Sequence, residues 1–261
     1  MLLVIKLGGE MIDSPELPTL AADVRALVEA GHRVVVVHGG GPQTTDVSTR
    51  LGLAPRIVAG RRVTDAATLD VVKMVVAGRL NVDLCAALRA QGVKPLGLHG
   101  AVQAVKRPPR VLSGAGPEPV DLGLVGDVAG LDREVLEWAA GSGRVPVLAC
   151  LGVAEGAVYN INADVVANRV AIELGADMVM LVTGTDGVRR DAADPSSRIP
   201  SLTMAEGRRA IAEGVVWGGM IPKLEESFAA LASGVRSVLI VGRDLARAVA
   251  EPGAVGTLLL P

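Results

Sequence analysis

The sequence predicts an α/β fold in which a mainly parallel sheet lies between helical layers, and three observations predict it. Short runs rich in Val and Ile alternate with longer segments of helical periodicity. The short runs are apolar almost throughout, as strands covered on both faces are. The helical segments often end in glycine, a common helix stop. With 261 residues, half of them hydrophobic, the chain is long enough for one large α/β domain or two lobes sharing a sheet.

In chain order, strands are expected at 2–7, 33–38, 95–98, 145–149, 177–182 and 237–241, each a short apolar run. Helices are expected at 17–30, 44–51, 65–90, 132–141, 164–174, 204–213 and 221–233. Proline and glycine break the alternation at 106–110 and 113–119, which read as hairpin or loop, with 121–127 leading to the next helix. The expected organisation is an N-terminal lobe, 1–174, and a C-terminal lobe, 175–261.

Composition narrows the function. Phe228, Tyr159, Trp138 and Trp217 are the only aromatic residues, too few for a platform on which nucleic acid bases stack. The net charge is −2 with no long run of one sign, so neither nucleic acid nor an acidic membrane surface is an expected partner. Small molecules are. Cys85 and Cys150 form no Cys-x-x-Cys pair and lie near no plausible histidine set, which argues for reduced core residues and against a disulfide framework or a zinc site. The apolar opening ends at Lys6, well short of a signal sequence, and no stretch approaches the roughly 20 apolar residues of a membrane span. A soluble cytoplasmic protein is the expectation.

Five motifs carry the chemistry. Lys6-Leu7-Gly8-Gly9 places a lysine at the carboxyl end of the first strand, followed by glycines whose N–H groups can meet an anion. His38-Gly39-Gly40-Gly41-Pro42 repeats that arrangement after the second strand. Three consecutive glycines carry a high entropic cost, which argues for close backbone approach; His38 itself reads as a hydrogen-bonded strand end. Asn160-Ile161-Asn162-Ala163-Asp164 opens a helix with more polar groups than capping requires, so Asp164 is positioned to accept from both Lys6 and Lys223. Gly218 to Lys223 brings a second lysine to a helix start marked by Pro222. In Gly60-Arg61-Arg62-Val63-Thr64 the arginines are either a solvated face or, at Arg62, a fork for a carboxylate. No nucleophile with an adjacent base emerges. A carboxylate acceptor would need none, because it is already ionised at neutral pH.

In this order and at these distances the five motifs resemble the amino acid kinase family, over nearly the whole chain. The resemblance implies an αβα sandwich with a central, mostly parallel sheet of about eight strands and a homodimer formed through the N-terminal lobe. It implies MgATP-dependent phosphorylation of the side-chain carboxylate of N-acetyl-L-glutamate, the second step of arginine biosynthesis. Lys6 and Lys223 would stabilise the transferring phosphoryl group, Asp164 would orient them, and Gly8, Gly9 and Gly40 would donate N–H groups to it. Gly40, Gly41, Arg62 and Asn160 would hold the acceptor, the last two through its α-carboxylate. Nucleotide would lie near Thr183, Gly184, Thr185, Asp186 and Gly187 and near Val215, Val216 and Trp217. Magnesium would be held mainly by the ATP phosphates, so no protein ligand is expected. Relatives commonly carry Thr-Asp-Val-x-Gly in place of Thr183 to Gly187, and Ser-Gly-x-Asp in place of His99 to Val102. These departures keep two alternatives open, an N-acetyl-aminoadipate kinase and a non-catalytic sensor. Arginine-inhibited relatives bear an N-terminal helix ahead of the first strand, so an arginine-insensitive dimer is the expectation.

Overall fold

In a computed structural model, which describes residues 1–112, 116–191, 193–218 and 220–261, the first predicted strand lies near the middle of an eight-stranded sheet. The strands are β1 (Leu2–Leu7), β2 (Arg33–His38), β3 (Ile57–Val58), β4 (Arg61–Arg62), β5 (Pro95–Leu98), β6 (Val102–Lys106), β7 (Gly126–Leu131), β8 (Val145–Ala149), β9 (Leu151–Ala154), β10 (Ala157–Asn160), β11 (Met178–Val182), β12 (Ser201–Thr203), β13 (Val238–Val241) and β14 (Thr257–Leu260). The large sheet runs β12-β14-β13-β11-β1-β2-β8-β5, and its pairs are parallel except β13 with β14. The helices are α1 (Gly9–Ile12), α2 (Leu17–Glu29), α3 (Gly41–Arg50), α4 (Ala66–Val72), α5 (Asn81–Ala90), α6 (Arg133–Gly141), α7 (Ala163–Leu174), α8 (Met204–Ala212), α9 (Met220–Ala232) and α10 (Leu245–Ala250).

Strand alternation explains the layers. Leu3, Ile5 and Leu7 of β1 pack with Leu20 and Leu27 of α2 and with Leu84 and Leu88 of α5. Leu2 and Val4, facing the other way, join Leu136 of α6, Val166 and Val170 of α7, and Leu224 and Phe228 of α9. Each such side chain contributes roughly 1.5–3 kcal/mol by leaving water, so both faces of the sheet are committed to helices. The predicted αβα sandwich is present.

All six predicted strands form, two of them starting one residue later than expected. The helix expected at 65–90 is capped by Asp65, whose carboxylate accepts from Thr68 N at 2.7 Å, but it widens into a π-helical stretch, Lys73–Leu80, between α4 and α5. The helix expected from 44 starts earlier, at Gly41, because Pro42 suits a first turn. A second, four-stranded sheet, β10-β9-β6-β7, was not expected. Its strands are only partly buried, β7 and β9 carry glycine, β9 and β10 are four residues long, and β6 and β7 carry a bulge at Gln103/Ala104, so the apolar signal is diluted. Residues 113–115 of the predicted 113–119 loop, and Gly219, lie outside the described residues.

β1 is flanked by β2 on one side and β11 on the other, which makes it a topological switch point. Ligands of open α/β sheets bind at the carboxyl ends there. The register places Leu7 beside His38 and Val182, His38 beside Ala149, and Val182 beside Val241, so five strand ends open onto one edge.

Candidate active site

The two glycine turns meet at that edge. Gly8 is the N-cap of α1 and Gly40 that of α3. A Cβ on Gly9 would stand 2.6 Å from Gly40 Cα and 2.5 Å from Gln43 Oε1, and one on Gly40 would stand 2.5 Å from Leu80 Cδ1. These two glycines therefore exist because the turns touch each other and the helix behind them. The same argument fails at Gly41, where a Cβ would meet nothing within 4 Å, and at Gly39, where the contact is ordinary. The glycine run is thus explained sterically at Gly40 alone. Gln43, unnoticed in the sequence, donates to Gly9 O at 2.9 Å and pins one turn to the other.

Facing the turns is the start of α7. Asn162 caps it, accepting from Asp164 N at 2.7 Å. Asp164, in the first turn, meets Lys6 with Nζ and Oδ1 3.0 Å apart, and their side chains are only 14% and 26% exposed. Lys6 reaches it because its side chain leaves β1 on the α7 face. Together with Arg61, Arg62, Arg107, Cys150 and Asn160, these elements line a cavity of about 500 Å³.

Lys223, on α9, forms no ion pair among the described residues, so the expected double pairing of Asp164 is found for Lys6 alone. It stands close by all the same. Burial lowers the Lys223 ammonium below the ordinary lysine value and the Lys6 cation lowers it further, while Glu10 and Asp164 raise it. Lys223 also lines a second cavity of about 300 Å³ with Thr185, Gly187, Val215, Val216, Trp217 and Met220. Among the residues expected at nucleotide, Thr183, Gly184 and Asp186 do not line it. Thr183 is buried and its hydroxyl ties down Thr185, accepting from Thr185 N at 3.2 Å. Asp186 faces Arg243 across 3.8 Å. Gly187 has φ of 122°, and a Cβ there would lie 2.6 Å from Thr257 Oγ1, so glycine is required on both counts.

Arg62 projects from the β3–β4 hairpin. Its Nη2 donates to Gly41 O at 2.9 Å and to Thr45 Oγ1 at 2.6 Å, while the buried Nη1 has no partner. Burial depresses its pKa. The half-buried guanidinium also lines the cavity, where an arginine fork suits an anion. Asn160, at the end of β10, donates to Thr64 Oγ1 at 3.1 Å.

His38 is fully buried, and its two ring nitrogens contact Gly39 O at 3.1 Å and Asn81 Nδ2 at 3.0 Å. Burial pushes its pKa down to about 4, so it is neutral and occupied, as its strand-end position suggested. Cys150 is buried and burial pushes its thiol up to about 11; Cys85 is half-buried, and both are free. Three residues of the region were invisible beforehand. Arg107 is held bidentately by Asp127, with Nε 3.0 Å from both carboxylate oxygens. Glu10 and Thr45 line the cavity. A lone Arg beside two prolines, a Glu after glycines and a helical Thr carry no spacing signal. No group of three or more His, Cys, Asp or Glu among the described residues is arranged to hold a metal, and no helix there is long and apolar enough to cross a membrane.

Comparison with known proteins agrees with this architecture. Residues 1–242 match the model of the amino acid kinase family. The chain is 64% identical to the acetylglutamate kinase of Sorangium cellulosum, over 99% of this chain and 94% of that one. It is 59% identical to the acetylglutamate kinase of Anaeromyxobacter dehalogenans, over 98% of each. Among solved structures, smu.665 from Streptococcus mutans superimposes with a TM-score of 0.78 at 28% identity, over 99% of this chain and 98% of that one. With the fold, the paired glycine turns and a match of this length, the chain belongs to the amino acid kinase family.

Proposed function

We propose that this protein transfers the γ-phosphoryl group of ATP to the side-chain carboxylate of N-acetyl-L-glutamate. The observation that carries the reading is the 500 Å³ cavity lined by Arg62, Asn160 and the two glycine turns together with Lys6 and Asp164, which pair at 3.0 Å. Relatives at 57–64% identity are acetylglutamate kinases. The acceptor has two carboxylates. One lies with Arg62 and Asn160, and the other is presented to the glycines.

In the transfer, a side-chain carboxylate oxygen forms a bond to the γ-phosphorus as the bond from that phosphorus to the β–γ bridging oxygen breaks, giving an acyl phosphate and ADP. No proton moves, and no base is required. That suits a site whose only buried histidine is already engaged at both nitrogens. Catalysis reduces to positioning and charge neutralisation. Lys6, oriented by Asp164, and Lys223 neutralise the transferring group from two sides, while Gly8, Gly9 and Gly40 supply N–H groups. Gly41 adds backbone to the acceptor pocket. The second cavity, with Thr185, Gly187, Val215, Val216 and Trp217, fits a nucleotide: it is partly apolar, it has an exposed Trp at its wall, and it is lined by Lys223, whose charge interacts with Lys6, Glu10 and Asp164 of the first. Magnesium, when bound, would spread the phosphate charge, held mainly by ATP oxygens.

The reading includes a division of labour, with residues 1–174 holding the acceptor and 175–261 the nucleotide. It includes a homodimer through the N-terminal lobe, supported by the unpaired outer edge of β5 and by Met74 and Val82, exposed apolar residues on the helical segment beside it. A cytoplasmic setting follows from the use of ATP. The test is coupled ADP release with N-acetyl-L-glutamate, with hydroxylamine trapping of the acyl phosphate. Turnover with a trapped hydroxamate is expected. Absence of both in folded protein that binds ATP overturns the reading, and preference for N-acetyl-aminoadipate would overturn its choice of acceptor.

A further inference from the structure

Asn81 is a polar residue in an apolar place. It opens α5 immediately after the π-helical stretch and is 3% exposed. Its Nδ2 donates to His38 Nε2 at 3.0 Å and to Val147 O of β8 at 3.2 Å, and its Oδ1 receives the Cys85 thiol at 3.9 Å. On the far side, a Cβ at Gly97 of β5 would come within 2.4 Å of Oδ1, so the strand is stripped of a side chain to admit the amide. Burying an amide in such surroundings costs several kcal/mol unless it is satisfied.

The bonds fix the state of the ring beside it. A carbonyl accepts only, so the Val147 contact assigns the NH2 group, and that NH2 group makes His38 Nε2 an acceptor. Nδ1 must then carry the proton of the neutral ring. It donates that proton to Gly39 O at 3.1 Å. The peptide held in this way leads directly into Gly40, which Leu80 and Val76 of the same helical segment press from behind.

We infer that Asn81 is a positioning residue for the glycine turn: by imposing the Nδ1–H tautomer on His38, it holds the Gly39 peptide and through it the N–H groups that meet the transferring phosphoryl group. The first half concerns the ligand-free protein alone. The second rests on the phosphate site proposed above.

The test uses the full chain labelled with 15N-histidine, together with steady-state kinetics. In the native protein His38 should show a protonated Nδ1 and a bare Nε2 at pH 7. Asn81→Asp places an acceptor where the donor stood, so the neutral ring should turn over to Nε2–H, and the Gly39 bond should be lost. We expect kcat to fall about 10- to 100-fold, the scale of a displacement of about 1 Å at a reacting group, with the KM of ATP unchanged. Leu84→Val, a core change one turn along, should lower Tm without altering kcat. An Nε2–H tautomer in the native protein overturns the inference, as does native kcat in Asn81→Asp, or lost kcat with the tautomer unchanged. If Asn81→Asp, nearly identical in shape, does not fold, the native spectrum decides. Failure of the phosphate site itself reads differently, because Lys223→Ala would then keep its kcat whatever Asn81→Asp does.

Discussion

Arg62→Lys isolates the acceptor site from the rest of the chemistry. In the structure the guanidinium spends Nη2 on Gly41 O and Thr45 Oγ1 and keeps a buried, unpartnered Nη1. Arg62 lines the cavity, where its guanidinium would bond the α-carboxylate of the acceptor. The bond formed is charge-assisted and contributes roughly 1.5–3 kcal/mol. Lysine keeps the positive charge but cannot hold the hairpin with one nitrogen and the ligand with another. Losing that one bond corresponds to a rise of about 10- to 150-fold in the KM of N-acetylglutamate, at tenfold per 1.4 kcal/mol. The KM of ATP should not move and kcat should change little, because the α-carboxylate is bound equally before and during transfer. Initial rates of ADP release, with each substrate varied in turn, measure all three. An unchanged acceptor KM, or an equal rise in both KM values, would refute the reasoning.

Gly9→Ala should destabilise by about 1–3 kcal/mol and abolish turnover, since its Cβ would drive into Gly40 Cα, whereas Gly41→Ala, with open space around it, should unfold near the native temperature; calorimetry of the pair distinguishes them. Lys223 must be protonated to neutralise phosphate, and its lowered pKa in the free protein places the alkaline limb of the kcat/KM profile below the ordinary lysine value of about 10.4. Asp164→Asn should move that limb lower still, because Asp164 is one of the charges that raise it. His38, held near 4 against an ordinary 6.5, binds fewer protons folded than unfolded between those values, so stability should fall as pH drops through that window. On acidification from pH 7 to pH 4 the loss is on the order of 3 kcal/mol, and urea unfolding of His38→Gln should lack that contribution.

The large sheet was legible because its strands are buried on both faces and read as unbroken Val and Ile runs. The small sheet was not, since strands such as β7 and β10 are half-exposed and glycine-bearing or short. Lys6, Asp164 and the glycine turns were legible as candidates from punctuation, since glycines and Asn/Asp immediately after apolar runs mark strand ends, where ligands bind, whereas Arg62 was singled out only through the family resemblance. What the sequence could not supply was distance. It could not place Asp164 on one lysine rather than two, separate Gly40 from Gly41, or pair Arg107 with Asp127, because those outcomes depend on which side chains the register brings within reach. Asn81 was missed for the same reason. Within a helical run it is an ordinary polar residue, and only the packing of β2, β5 and β8 around it gives it a purpose.

Convergence of Lys6 and Lys223 on one phosphoryl group is tested most directly by single-turnover rates of Lys6→Ala, Lys223→Ala and the double variant, with ATP and N-acetylglutamate at saturation. Each single change should slow transfer by about 10²- to 10³-fold, the scale for removing one preorganised donor. The double variant should lose less than the product of the two, as groups that act as a unit do. A Lys223→Ala protein that transfers at the native rate, or a double variant whose losses multiply fully, would contradict a shared site.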